Sequence, residues 1–153
     1  MKNNKKSFWG KFPLIFSLIM CLAVATPSQA KVPVGKYYGD LKVYLQESLT
    51  GQMTDQEMHI KVIKENKEYS VLLDEFQVAS FNIPALKCFT DAKKSDKGLA
   101  LEGEVEDLTG AFAITGDVKG YITKKGEVNL VYNLRFGEMP MSFVCKYVGY
   151  LDE

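Results

Sequence analysis

From Lys36 onward the chain alternates. Tyr37, Gly39, Leu41, Val43 and Leu45 take every second place, with Lys36, Tyr38, Asp40, Lys42 and Tyr44 between them. The same period returns in Met58, Ile60 and Val62, and again in Tyr69, Val71 and Leu73. Leu99, Leu101, Gly103 and Val105 oppose Glu102, Glu104 and Glu106, and Phe112, Ile114, Gly116, Val118 and Ile122 oppose Thr115, Asp117 and Lys119. Val128, Leu130, Tyr132, Leu134 and Phe136 form a further set, and Met141, Phe143, Cys145 and Tyr147 the last. A period of two sends alternate side chains to opposite faces of a strand, whereas a helix would repeat at 3.6. These segments are therefore half-buried strands.

Turn residues fall between them at 65–67, 95–98, 107–110, 124–126 and 137–140. Breaks this short join antiparallel neighbours, since a parallel crossover needs about a dozen residues. The pattern predicts eight strands, at 36–46, 57–64, 68–75, 86–92, 99–106, 111–123, 127–136 and 141–150. Residues 76–84 alternate weakly and read as a bent connection or short edge piece; residues 47–56 read as the longest loop. An open meander of eight strands would expose two edges, and closure removes them. The expected fold is an all-β, eight-stranded antiparallel up-and-down barrel. Alternation cannot tell a closed sheet from two stacked ones, so a β-sandwich is the alternative.

The first thirty residues differ. Lys2, Lys5, Lys6 and Lys11 precede an apolar stretch over residues 13–25, and Ser28 and Ala30 supply the small residues that signal peptidase accepts. The expectation is a secretory signal peptide cut between Ala30 and Lys31, leaving one domain over residues 31–153 and an exported product, periplasmic or extracellular. Met20 before Cys21 suits lipoprotein processing poorly, so a lipid-anchored form is not expected. The leader holds four bases and no acids, and the remainder carries a net charge of about −4 from the same count. That argues against nucleic acid and other polyanions as partners. Two cysteines remain, Cys88 and Cys145. In an oxidising compartment they invite a disulfide, worth on the order of 4 kcal/mol by chain entropy. Two buried, unpaired thiols are the alternative.

The start Val34-Gly35-Lys36-Tyr37-Tyr38-Gly39, the Phe81-Asn82-Ile83-Pro84 element and the glycines of the second half (Gly103, Gly110, Gly116, Gly120) resemble the calycin-like family of small secreted bacterial barrels. The resemblance implies a lipocalin- or avidin-like barrel. It transfers no catalytic residues and no ligand.

Candidate chemistry is sparse. His59, the sole histidine, reads as a solvated strand residue without a catalytic partner. Glu102, Glu104 and Glu106 share one strand face and read as a wet wall; calcium needs six or more oxygens. No metal, no cofactor and no catalytic residue is expected, and the protein is not expected to be an enzyme. A ligand would meet the inward aromatics Tyr37, Tyr69, Tyr132, Phe136, Phe143 and Tyr147, with Leu49 and Met53 of the long loop covering the barrel mouth. Tyr38, Tyr44 and Tyr150 fall on the wet face as a contact patch. The expected function is non-enzymatic binding of a small apolar or amphipathic ligand by a secreted barrel. The alternative is a filled barrel that recognises protein or glycan through its outer surface. An outer-membrane barrel is the weaker third reading, and stable membrane insertion is not expected.

Overall fold

The computed structural model describes residues 33–65, 67–108, 112–139 and 141–153. The leader, with its cleavage site at Ala30 and Lys31, lies outside them, as does Gly110. Ten strands run in chain order, with no helix among the described residues: β1 Gly35–Leu45, β2 Ser48–Lys64, β3 Glu68–Leu73, β4 Phe76–Val78, β5 Phe81–Ile83, β6 Leu86–Ser95, β7 Gly98–Asp107, β8 Ile114–Ile122, β9 Glu127–Phe136 and β10 Ser142–Leu151. Eight close into a barrel in the order β1-β10-β9-β8-β7-β6-β3-β2, and every pairing is antiparallel. The up-and-down barrel stands, and the sandwich alternative falls.

Two segments depart from the sequence reading. Residues 47–56 are the first half of β2, a strand of 17 residues, not a loop. Thr50, Gly51, Thr54 and Asp55 have turn-like composition, yet β1 pairs with nearly the whole length, through two register shifts. Asp55 sits at φ 57, a conformation Asp tolerates better than most residues. The second departure is residues 76–84, which form a separate two-stranded hairpin between β3 and β6, with Phe76 opposite Ile83 and Val78 opposite Phe81.

The interior is filled. Tyr37, Leu41, Met58, Ile60, Tyr69, Leu73, Leu86, Leu101, Ile122, Leu130, Tyr132 and Tyr147 are almost wholly buried. Inward glycines let neighbouring strands coil tightly around them: a Cβ on Gly116 would strike the Asn133 backbone, and one on Gly120 the Asn129 carbonyl. The outer wall is charged. Across β3, β6, β7 and β8, Glu68, Asp91, Glu102 and Lys119 stand side by side.

The expected disulfide is absent: Cys88 and Cys145 are free and buried. Their strands, β6 and β10, lie four places apart in a ring of eight, on opposite walls. Strand spacing and tilt give such a barrel a backbone diameter on the order of 16 Å. A disulfide tolerates at most about 7 Å between Cα atoms.

Candidate functional site

All strand ends at Leu45, Leu73, Asp107 and Phe136 lie at one end of the barrel, and the β4–β5 hairpin emerges there. Phe76, Val78 and Ile83 of the hairpin are buried with the core, so the hairpin lies over the barrel end as a cap. The Gln56 side-chain amide donates to the Asp74 and Glu75 carbonyls at 3.1 and 3.3 Å, and the Asp74 amide donates to the Glu57 carbonyl at 3.1 Å. These bonds fasten the connection to β2.

Between cap and barrel lies a cavity of about 260 Å³. The barrel contributes Val43, Ile114, Phe136, Phe143 and Cys145 to its wall, and the hairpin contributes Phe76, Val78 and Ile83. Phe136 and Phe143 meet edge to face, with centroids 4.9 Å apart and planes at 85°, a favourable aromatic geometry that fixes this corner. At the rim stand Phe81, Phe112 and Met139, which are 47%, 55% and 36% exposed. Ser80 and Asn82 add neutral polar groups. The Gly137 amide donates to the Ala113 carbonyl at 2.6 Å and ties two rim connections together. Burial pushes the Cys145 thiol up to about 12, so it faces the cavity as a neutral, weakly nucleophilic group.

Of the residues expected from sequence to meet a ligand, the cavity gathers only Phe136 and Phe143; Cys145, expected in a disulfide, and the Phe81-Asn82-Ile83-Pro84 element line it as well. Tyr37, Tyr69, Tyr132 and Tyr147 lie in the filled interior instead. Leu49 is 53% exposed, and Met53 packs partly against the core; neither lines the cavity, because their segment is strand and not lid. Phe76 and Met139 carry no signal in the sequence because they lie in a three-residue strand and a connection, where no period shows, and Phe81 stands out only through the Phe81-Asn82-Ile83-Pro84 element.

Other singled-out groups lie on the outer wall. His59 contacts Glu57, which also holds Lys36 Nζ at 3.1 Å. The hydrogen bonds from Lys36 and then His59 hold the Glu57 carboxyl below its ordinary range, and the Glu57 bond raises Lys36. Glu102 pairs with Lys119 at 2.9 Å, which lowers the carboxyl and raises the amine. The outer tyrosines do not make one patch. Tyr38 and Tyr150 are direct cross-strand partners, whereas Tyr44 lies six residues further along β1, under Lys146.

No family model matches the chain, and no curated protein matches it. Among solved structures it is similar to a "putative outer membrane protein" from Bacteroides fragilis NCTC 9343, with a TM-score of 0.64 and 20% identity over 77% of this chain and 50% of that one. This chain spans half the length of that neighbour. The likeness extends to the closed barrel fold alone and does not show the calycin-like family.

Proposed function

We propose that the protein is a non-enzymatic binding protein of the cell envelope that holds a small apolar or amphipathic ligand in the cavity beneath the β4–β5 hairpin. The observation that carries this is the cavity itself: apolar walls, a few neutral polar groups, and large apolar side chains left half-exposed around the opening. At about 260 Å³ it falls just below the range of about 300–1,000 Å³ for drug-sized ligands, so it suits one ring system or a short chain. The filled interior removes a deep lipocalin-like calyx from the reading. The neutral Cys145 thiol and the remote His59 give the cavity no nucleophile–base pair, which favours binding over chemistry. An envelope location draws on the exported character of the leader and on the name of the structural neighbour.

A lipid-spanning role is the weaker reading. Such barrels face apolar side chains outward, whereas here Glu102, Glu104, Asp117 and Lys119 stand on the outer wall and the apolar set points in.

The test is titration with the neutral fluorophore N-phenyl-1-naphthylamine. Saturable binding at one site per chain is expected. Replacing Phe81 and Met139 together with Ser should weaken it at least about fivefold, the effect of losing roughly 1 kcal/mol of apolar contact. Both side chains are exposed, so the melting temperature should barely move. Non-saturable binding, or binding indifferent to the double substitution, sinks the reading.

A further inference from the structure

We propose that this cavity selects amphiphiles with a neutral or positively charged head and discriminates against carboxylates such as fatty acids. The inference rests on the binding reading above and deepens it.

Among the described residues, no charged side chain stands in the cavity wall. An amphiphile entering the cavity buries its apolar body and leaves its head at the opening, among the connections at this end of the barrel. Those connections carry Glu47, Asp74, Glu75 and Glu138, and their sequences hold no lysine or arginine. Two of the acids adjoin the wall directly: Glu75 precedes Phe76, and Glu138 precedes Met139. The nearest bases along the chain, Lys87 and Arg135, alternate with the buried Leu86, Cys88, Leu134 and Phe136 and so point outward from β6 and β9. The opposite end is mixed in charge, with Lys67, Lys97, Lys124 and Lys125 beside Glu65 and Asp96 in its turns. A bound carboxylate would therefore lie beside like charge with no base positioned to pair it. An ammonium head would sit in the attractive field of the same acids. The neutral Ser80 and Asn82 can bond either an amine or an alcohol.

The separating experiment is displacement of N-phenyl-1-naphthylamine by decylamine, decanol and decanoate, each below its micelle concentration. At an ionic strength of about 0.01 M, where the Debye length is ~30 Å, decylamine should displace the probe at a concentration at least about tenfold below decanoate. At about 1 M salt, where that length is ~3 Å, the two should converge. The double variant Glu75→Lys, Glu138→Lys should close or invert the gap. Equal or stronger displacement by decanoate with the wild-type chain overturns this proposal while leaving the binding reading intact. Absence of saturable probe binding overturns both.

Discussion

Tyrosines fill the middle of the barrel, and their hydroxyls are treated unequally. Tyr37 donates to the Pro33 carbonyl at 2.6 Å and Tyr147 to the Gln56 carbonyl at 2.9 Å, across 91 positions of sequence. The Tyr132 hydroxyl is fully enclosed and has no hydrogen-bond partner among the described residues. Its neighbours include the thiols of Cys88 and Cys145, and burial raises its pKa well above the ordinary tyrosine value. A buried hydroxyl without a partner costs about 1–3 kcal/mol, and one with a partner contributes about 1. Tyr132→Phe should therefore be neutral or stabilising by up to about 2 kcal/mol, whereas Tyr147→Phe should cost about 1 kcal/mol and leave the Gln56 carbonyl unpaired. Urea denaturation of the two variants reads the contrast. A Tyr132→Phe loss as large as that of Tyr147→Phe would mean that the hydroxyl is bonded in solution.

At the scale of the element, inward glycines carry much of the barrel's curvature. Gly116 on β8 lies against the backbone of β9 at Asn133, so a methyl there must push main chain aside. A Cβ on Gly51 of β2 would meet only side chains, Val78 at 3.5 Å and the Met53 sulfur at 3.9 Å, both ordinary contacts. Gly116→Ala should cost more than about 2 kcal/mol, while Gly51→Ala should stay within about 0.5 kcal/mol of wild type. Equal thermal shifts for the two would show that β8 and β9 can separate freely. The same elements show what the sequence could disclose. Strands β1 and β6–β10 were legible because one face is wet and one dry over nine or more residues, which makes the period plain, and β3 because Tyr69, Val71 and Leu73 keep the period although Ser70 between them is buried. β4 and β5 have three residues each, too few to display any period, and their buried Phe76, Val78 and Ile83 emerge only when the hairpin is seen to cap the barrel. The first half of β2 was hidden by composition: its polar residues face solvent beside one partner only, so no apolar stripe was required there. The candidate site inherits these gaps. Phe136 and Phe143 belong to the alternating strands and could be read; Phe112 shares the alternation of the predicted strand 111–123 but lies in the connection before β8, Phe81 opens the three-residue β5, and Met139 lies in a connection whose path no local pattern dictates. A pair of inward cysteines was equally legible, but their separation is a property of the closed ring.

For the molecule as a whole, the filled interior makes stability sensitive to alkali. Burial raises Cys88 and Cys145 from 9.0 to about 12 and Tyr37 from 10.0 to about 12, and it raises Tyr147 and Tyr132 as well. Each is a group whose neutral form is favoured inside, so its folded-state value lies above its unfolded one. The unfolded chain then releases protons first as pH rises. The stabilisation is fully present below about 9 for the thiols, and it is lost progressively as pH climbs toward about 12. At pH 10.5 each thiol should account for a loss on the order of 1–2 kcal/mol relative to pH 7.5. The denaturant midpoint should accordingly fall between pH 9 and pH 10.5. In the double variant Cys88→Ala, Cys145→Ala the curve should start lower, from the small cavities made, but slope less steeply over the same interval, with the tyrosines supplying what remains. A wild-type midpoint that holds level across that range, or a variant with the parent's slope, would place the thiols in contact with water and contradict a barrel closed around them.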